Sequence, residues 1–294
     1  MTTAMRTGAP GRKEPLVEGE FLFTNEDFLS IARMLYDDAG IALSESKASL
    51  VYSRLAKRLR ALGLESFREY CSFVAGSEGA SERQNMLAAL TTNVTRFFRE
   101  PHHFEHLKTK VLPALIQRAR AGGRVRFWSA GCSTGQEPYS IALTVLDAMP
   151  EAANYDVRIL ATDIDPNVVA TGRAGVYSDE AVQPVPLALR DRWMARVKDR
   201  GQDAWGVGDE MRQLVAFREL NLMAQWPMKG KFDAIFCRNV VIYFDEPTQA
   251  RIWSRFAPLL NSGGRLYVGH SERVTDMSRF ENDGLTTYRL KDGF

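Results

Sequence analysis

Apolar residues recur every three or four positions through the first third of the chain, which is the spacing of one face of an α-helix. Four such runs occur before residue 90, and typical capping residues bound them. A capping-box pattern begins the first run at Thr24, and Gly40 ends that run. The second run stops at Gly63, and the third and fourth start at Ser66 and Ser81. The pattern therefore predicts four helices and no strand in this part of the chain.

Beyond residue 113 the pattern changes to short β-rich runs that alternate with helical runs. This alternation indicates a mostly parallel sheet covered by helices. The predicted strands are Val125–Trp128, Val157–Ala161, Leu214–Phe217, Phe232–Cys237 and Arg265–Gly269. The stretch 176–215 interrupts the alternation with two prolines and three glycines. We interpret it as a small inserted subdomain.

Composition excludes several classes of protein. Of the 294 residues, 45% are hydrophobic and 25% are charged, unlike a disordered, collagen-like or disulfide-stapled chain. Lys and Arg total 38 against 36 Asp and Glu, so no global charge bias predicts binding to nucleic acid. The sequence contains no run of about 18 apolar residues, so it predicts no membrane-spanning helix. Residues 1–20 lack the apolar segment of a signal peptide, and we interpret them as a flexible leader.

The cysteines and histidines predict neither a disulfide framework nor a metal site. Cys71, Cys132 and Cys237 are odd in number and lack a metal-ligand spacing, so a reducing cytoplasm is the expected location. His102 and His103 are adjacent and are expected to point to different faces of a helix. We therefore predict no metal cofactor.

The strongest local signal is a glycine loop between the first predicted strand and a helix. Residues 130–138 read Ala-Gly-Cys-Ser-Thr-Gly-Gln-Glu-Pro, and such a loop offers free backbone N–H groups to a ligand. The next strand ends at Asp163, with Asp165 just beyond it, which suits a ribose diol. Glu137 at the helix start would repel a pyrophosphate and attract a positive amino group. The site thus favours S-adenosylmethionine over a nicotinamide dinucleotide.

Two other interpretations of this loop stay open. One is a tight structural turn followed by a solvated acidic loop. The other is a hydrolase, because residues 131–135 match G-x-S-x-G and the order of Ser133, Asp233 or Asp245, and His270 matches a catalytic triad. The hydrolase is disfavoured because about 100 mostly helical residues precede the loop, without an oxyanion-loop motif.

Further polar residues follow the predicted strands. The run Cys237–Phe244 puts Asn239 and Tyr243 at the carboxyl edge of the sheet, where ligand-binding groups of such folds gather. Asn221 and Leu222 follow another strand at that edge. A polar segment over 91–104 contains the aromatic pair Phe97 and Phe98 and leads into the helix that carries Phe104.

Several of these runs together resemble the CheR family, the chemotaxis receptor methyltransferases. The motifs are Thr92–Glu100, Ser133–Ser140, Ala161–Asp165, Phe232–Phe244 and Gly269–Glu272, and the resemblance extends from about Phe23 to the C terminus. It implies an all-helical, receptor-docking N-terminal domain over 21–90. A doubly wound, Rossmann-like methyltransferase domain would follow over 91–294, with an inserted antiparallel β-subdomain at 176–215.

The family implies methyl transfer from S-adenosylmethionine to glutamate side chains of chemoreceptor cytoplasmic helices, which gives methyl esters and S-adenosylhomocysteine. The implied cofactor contacts are Asn93, Thr95, Arg99, Glu137, Asp163, Asn221, Leu222, Asn239 and Val240. Arg99 and Tyr243 are the candidates near the reacting centre. Gln136 stands where the family often has a second acid, which leaves Glu137 as the sole carboxylate for the amino group.

The resemblance also implies two partner surfaces. Residues 1–90 carry 11 basic and 12 acidic residues, yet five of the basic residues fall in one stretch without an acid. This stretch is expected to dock on acidic receptor helices. Its basic residues are Lys47, Arg54, Lys57, Arg58 and Arg60. In the inserted subdomain, Arg196–Trp205 has a single glycine where the family has a glycine-rich hairpin loop, so strong binding of a receptor tail peptide is not expected.

Two alternative functions remain at this point. One is the same methyltransferase acting on a signalling protein outside chemotaxis. The other is a non-catalytic scaffold that binds the cofactor or its product. Base-labile methyl label on receptors would exclude the scaffold.

Overall fold

The structure, a computed structural model, describes residues 14–293. The chain divides into two compact units, one that ends at Leu90 and one that begins at Thr91. Residues 1–13 of the predicted leader lie outside the described residues. Residues 14–20 form bends rather than helix or strand, and the N–H of Leu16 donates to the carbonyl of Phe23 at 2.7 Å.

The first unit contains the four predicted α-helices. They are α1 (Asn25–Ala39), α2 (Ala48–Leu62), α3 (Phe67–Ala75) and α4 (Ala80–Leu90). Thr24 and Asp27 form the predicted capping box, each side chain accepting a hydrogen bond from the other residue's N–H, at 3.3 and 2.9 Å. Gly40 and Gly63 end α1 and α2 with φ of 70° and 69°, where glycine avoids a steric penalty. The start of α4 precedes the predicted Ser81 by one residue.

A buried carboxylate joins three helices of this unit. Glu82 on α4 is 3% exposed. It accepts hydrogen bonds from Arg58 Nε and Nη2 at 2.9 and 2.6 Å, from the Tyr70 hydroxyl at 3.0 Å and from the Asn85 amide at 3.1 Å. Burial raises the pKa of Glu82, but the hydrogen bonds from Arg58, Asn85 and Tyr70 outweigh it and leave that pKa below its ordinary value.

The second unit alternates strands and helices. Its strands are β1 (Val125–Ala130), β2 (Val157–Asp163), β3 (Val176–Tyr177), β4 (Met194–Asp199), β5 (Gln202–Val207), β6 (Val215–Glu219), β7 (Phe232–Cys237), β8 (Leu260–Val268), β9 (Phe280–Asn282) and β10 (Thr287–Leu290). Its helices are α5 (His102–His106), α6 (Leu112–Arg120), α7 (Gln136–Ala148), α8 (Pro166–Ala174), α9 (Asp179–Val182), α10 (Leu187–Trp193), α11 (Asp209–Leu214) and α12 (Glu246–Phe256).

Seven strands form one sheet in the order β6-β2-β1-β7-β8-β10-β9. The first five are parallel, and β10 runs antiparallel to both of its neighbours. This confirms the predicted α/β fold. The strand order reverses at β1, so a crevice is expected beyond the carboxyl ends of β1 and β7. The sequence pattern missed β9 and β10, because three and four residues carry too little periodicity to separate a strand from a loop.

The inserted segment forms a separate three-stranded antiparallel sheet in the order β3-β5-β4, as predicted. Strands β4 and β5 pair up to Asp199 and Gln202, so only Arg200 and Gly201 remain in the turn. Both have left-handed φ values, 49° and 83°, which is typical of a tight two-residue hairpin. Among residues 14–293, no helix combines the length and apolar character needed to cross a lipid bilayer.

Candidate active site

The glycine loop between β1 and α7 is shaped by close backbone approach. Gly131 and Gly135 have φ of 85° and 98°. A Cβ on Gly131 would lie 2.3 Å from Cγ2 of Val240, so only glycine fits there without rearrangement. The N–H groups of Gly131 and Cys132 both donate to the carbonyl of Thr162 at 2.8 Å. This packs the loop against the end of β2 and against the residues after β7.

Asp163 at the end of β2 fixes the neighbouring loops. It is 8% exposed, and its carboxylate accepts from the N–H of Ser133 at 2.8 Å and of Asp165 at 3.1 Å. Burial raises the pKa of Asp163, although these two N–H groups oppose the rise. The backbone of Leu220 donates to the Asp163 carbonyl at 2.9 Å, which brings the following Asn221 and Leu222 beside the tip of β2.

Hydrogen bonds join the segment from Thr91 to Pro101 to the acidic residues at the end of β2. The Asn93 amide donates to Asp165 Oδ2 at 3.1 Å, and the Ser133 hydroxyl donates to the Asn93 carbonyl at 3.0 Å. Asp165 also begins α8, where it accepts from the N–H of Asn167 at 2.9 Å. Thr95 is half-buried in the same segment. The predicted cofactor residues before and after β2 are therefore neighbours in the fold.

Arg99 lies at the end of this segment and is half-buried. Its Nη1 donates to the carbonyl of Val94 at 3.0 Å. Two aromatic residues anchor the backbone beside it. Phe97 is buried edge-on to Tyr177 with ring centroids 5.0 Å apart, and the Phe98 N–H donates to the Ser140 hydroxyl at 2.9 Å. The guanidinium is thus held over a turn with a fixed backbone.

Glu137, expected to hold a positive amino group, already has protein partners. Its Oε1 accepts from the Ser129 hydroxyl at 2.6 Å and its Oε2 from Arg238 Nη1 at 3.1 Å. Burial raises the pKa of Glu137, and the ion pair with Arg238 opposes that rise. The adjacent Gln136 is buried, and its side-chain oxygen accepts from the Thr134 hydroxyl at 2.8 Å.

The turn after β7 carries Asn239, Val240 and Tyr243 and is organised by a residue that sequence reasoning missed. Glu272 is 2% exposed and accepts five backbone N–H groups. The donors, with their distances, are Asn239 (2.8 Å), Val240 (2.8 Å), Val241 (2.8 Å), Ile242 (3.3 Å) and Gly269 (2.6 Å). Burial raises the pKa of Glu272, although these donors oppose the rise. The available signal was an acid in the short Gly269–Glu272 motif that follows the apolar strand β8.

Arg238 was also missed, and it lies at the centre of a buried ion cluster with Glu137 and Glu100. Its side chain is 2% exposed. Besides Glu137, it donates through Nη2 to the Arg99 carbonyl, and Nη2 lies 3.3 Å from Glu100 Oε2. Glu100 Oε1 in turn accepts the N–H of His270 at 3.2 Å and lies 3.0 Å from His270 Nδ1. A charged residue immediately after a fully buried strand was the available signal.

Glu100, His102 and His103 bring potential metal ligands within 4.8 Å of one another. The two histidine rings, expected on different faces, have centroids only 4.2 Å apart. Arg238 Nη2 nevertheless lies 3.3 Å from Glu100 Oε2, so a divalent cation bound to this carboxylate would face a buried guanidinium. We conclude that this donor set does not fit a metal ion.

The hydrolase interpretation fails on geometry. The Ser133 hydroxyl donates to the Asn93 carbonyl, and His270 Nδ1 contacts Glu100. Asp233 accepts from the N–H of Arg126 at 2.8 Å, and Asp245 begins α12 by accepting from the N–H of Thr248 at 3.0 Å. The three groups of the supposed triad are thus engaged with other partners.

Comparison with known proteins agrees with these features. Residues 93–289 match "CheR methyltransferase, SAM binding domain" and residues 26–91 match "CheR methyltransferase, all-alpha domain". A probable chemotaxis protein methyltransferase of Rhizobium etli is 62% identical over 258 residues, which are 87% of this chain and 96% of the relative. The chemotaxis protein methyltransferase 2 of Pseudomonas aeruginosa is 45% identical, over 92% of this chain and 94% of the relative. The chemotaxis protein methyltransferase of Escherichia coli is 39% identical, over 99% of each chain.

Proposed function

This chain belongs to the CheR methyltransferase family, and from that premise we propose that it forms methyl esters on glutamate side chains of chemoreceptors. It is a methyltransferase that uses S-adenosylmethionine. The finer assignment of acceptor and partner is supported by relatives named chemotaxis protein methyltransferases. A cytoplasmic location is part of the same proposal.

The residues at the carboxyl edge of the sheet fit the cofactor. A carboxylate at the tip of β2, Asp163, suits a ribose diol, and the carboxylate of Glu137 lies at the start of α7. The other proposed contacts are Asn93, Thr95, Arg99, Asn221, Leu222, Asn239 and Val240. When bound, S-adenosylmethionine supplies an electrophilic methyl group on a sulfonium.

A glutamate acceptor explains why the site needs no general base. A glutamate side chain has an ordinary pKa of about 4.3 and is already ionised at neutral pH. The task of the protein is then to hold a carboxylate oxygen in line with the methyl group, and such positioning supplies about 7–11 kcal/mol of a barrier. Arg99 would pair with the incoming carboxylate, and the Tyr243 hydroxyl would align it by one hydrogen bond.

One observation carries the proposal most directly: the backbone of Arg99 is tied, through Arg238, to the carboxylate of Glu137. The residue proposed for the acceptor and the residue proposed for the donor therefore belong to one hydrogen-bonded unit. Such a link is expected of a site that brings two substrates into register.

The test is transfer of labelled methyl groups. The purified chain is incubated with methyl-labelled S-adenosylmethionine and receptor-containing membranes, and the receptors are then treated with alkali. Released methanol is expected, because methyl esters hydrolyse in base. Label that resists alkali would contradict ester formation. Binding of S-adenosylhomocysteine in a calorimeter without any transfer would instead support a non-catalytic scaffold.

The basic stretch of α2 is a weaker docking surface than its sequence indicates. Arg58 pairs with the buried Glu82, Arg54 donates to the carbonyls that end α4, and Arg60 pairs with Glu20 at 2.7 Å. Lys47 and Lys57 are exposed. We propose that these two lysines contribute most of the attraction to acidic receptor helices.

The inserted subdomain is not proposed to bind a receptor tail peptide strongly. Its β4–β5 turn contains only two residues and offers no glycine-rich loop to grip an extended peptide. A tight complex between the chain and a C-terminal tail peptide of a receptor, measured by calorimetry, would overturn this view.

A further inference from the structure

Arg238 connects three parts of the active site that lie far apart in sequence. It follows β7, and its guanidinium reaches Glu137 on α7, the carbonyl of Arg99 and the carboxylate of Glu100. Its side chain is almost completely buried, and the guanidinium carbon lies 5.5 Å from the centre of the Phe104 ring. A charge in such surroundings is stable only when its partners are close.

The charges of this cluster do not cancel. Two carboxylates, Glu100 and Glu137, face one guanidinium. Burial raises the pKa of Glu100, but Arg238 and the donors from His270 outweigh it and lower that pKa to about 2. Burial and the nearby Arg238 lower the pKa of His103, whose Nδ1 lies 3.6 Å from Glu100, to about 3, so this imidazole stays neutral. Burial raises the pKa of Glu137, so the second negative charge of the cluster is costly until a positive group lies beside it. The amino group of the cofactor would complement that charge.

We propose that Arg238 is a positioning residue that holds Arg99 in register with Glu137, and thereby holds the acceptor carboxylate in register with the methyl donor. The proposal rests on the function proposed above. Arg238 touches neither reactant in this assignment. It acts through the backbone of Arg99 on one side and through the carboxylate of Glu137 on the other.

The geometry requires the shape of an arginine side chain and not only its positive charge. A guanidinium presents several N–H donors in a rigid plane and can serve two carboxylates and a carbonyl at once. A lysine at this position would retain the charge and could still pair with Glu137. Its single ammonium on a flexible stem would not span Glu137 and the Arg99 carbonyl in one fixed arrangement.

The decisive experiment is a double-mutant cycle between Arg238→Lys and Arg99→Ala in the full chain. Arg238→Lys is expected to lower kcat for receptor methylation by roughly 30-fold through misplacement of Arg99. Its dissociation constant for S-adenosylhomocysteine should stay within about twofold of the wild type. In the Arg99→Ala background, Arg238→Lys should lower kcat by no more than about twofold, because the Arg99 guanidinium that it positions is gone. Arg273→Lys, at an exposed position, is the matched control and should leave kcat unchanged.

Hydrogen exchange gives a readout that does not depend on catalysis. Amides of residues 91–100 should exchange faster in Arg238→Lys, while the melting temperature and exchange elsewhere stay close to the wild type. If Arg238→Lys fails to fold, Glu100→Gln can replace it, because it removes the charge of a second partner of Arg238. Its effect on kcat should also be non-additive with that of Arg99→Ala.

The outcomes separate the two claims. Additive losses in kcat, or unchanged exchange over residues 91–100, would overturn the role of Arg238 even if the wild type methylates receptors. Faster exchange in a chain whose wild type transfers no methyl group would support the tether and refute the proposed function.

Discussion

Each of the two units buries an ion cluster, and the clusters differ in their balance of positive and negative groups. In the helical unit, the Glu82 carboxylate meets one guanidinium from Arg58 in a bidentate pair, and Tyr70 and Asn85 complete its hydrogen bonds. In the α/β unit, Arg238 lies between the carboxylates of Glu100 and Glu137. Glu100 Oε2 lies 3.3 Å from Arg238 Nη2 but has no hydrogen-bond partner among residues 14–293.

The difference indicates separate roles. A cluster whose charges are matched and whose hydrogen bonds are made within the protein holds helices together and has no free group for a ligand. A cluster with residual charge and an unsatisfied oxygen is costly for the folded chain alone, and such costs are tolerated where a ligand or a mechanism uses them. We therefore expect changes at Glu82 to affect stability and changes around Arg238 to affect catalysis.

The largest effect is expected at Arg99, whose backbone carbonyl contacts the Arg238 cluster. Arg99→Ala removes the side chain proposed to orient the acceptor carboxylate, and we expect a loss of about 100-fold in kcat for receptor methylation. The melting temperature should change little, because Arg99 is half-buried and its guanidinium bonds one carbonyl. Arg96→Ala, an exposed arginine of the same segment, is the control. Full activity of Arg99→Ala would refute the assignment.

A change in the Glu82–Arg58 cluster should lower stability and leave the active site unaffected. Glu82→Gln keeps the shape but leaves the Arg58 and Tyr70 donors without an ionised partner, which should cost about 1–3 kcal/mol of unfolding free energy. Denaturant unfolding would measure this loss, and the affinity for S-adenosylhomocysteine should not change. Glu78→Gln, exposed in the same region, should cost nothing measurable. A weakened affinity in Glu82→Gln would contradict the separation of roles.

The pH dependence of stability should sharpen the contrast. Because the pKa of Glu82 is lowered in the folded state, its contribution is present above its unfolded pKa of about 4.3 and is lost as pH falls toward the folded value. The stability difference between wild type and Glu82→Gln should therefore shrink as the pH drops below about 4.3. Denaturant titrations from pH 7 down to pH 3.5 would test this, and a constant difference would exclude the ionised pair.

The smallest effect concerns the surface of the helical unit. Lys57→Glu reverses an exposed charge and should slow receptor methylation two- to fivefold at low salt, with the difference fading as salt screens the attraction. Arg58→Glu is unsuitable for this purpose, because it would disrupt the Glu82 cluster. A salt-independent rate in both wild type and Lys57→Glu would refute electrostatic docking at this site.

Much of the architecture was predictable because it depends on local patterns. The caps at Thr24 and Gly63, and the strand starts at Val125, Val157 and Phe232, coincide with the structure. These features follow from backbone geometry and from apolar spacing within about ten residues. Strand ends were less accurate, since β1 and β2 each run two residues beyond the predicted end.

Glu272 and Arg238 show why the rest of the site could not be predicted. The partners of Arg238 lie 139 residues away at Arg99 and 101 residues away at Glu137. Four of the five N–H donors to Glu272 lie 30 to 33 residues away. Neither contact leaves a periodic trace in the sequence. Resemblance to a family supplied the neighbouring positions Asn239 and Val240 but gave no role to the residues that hold them.

The sequence by itself determined most of the helices and strands, where glycine is required, and which polar residues follow strands, because these depend on short-range sterics and on burial of apolar faces. Only the tertiary structure decided which carboxylates share a cation and which backbone groups a buried acid binds. The strand order brings the ends of β1, β2, β7 and β8 together, and charges that are remote along the chain then determine one another's partners. That arrangement, rather than any single motif, decided that Glu137 meets Arg238. In the helical unit, the packing of α2 against α4 decided in the same way that Glu82 meets Arg58.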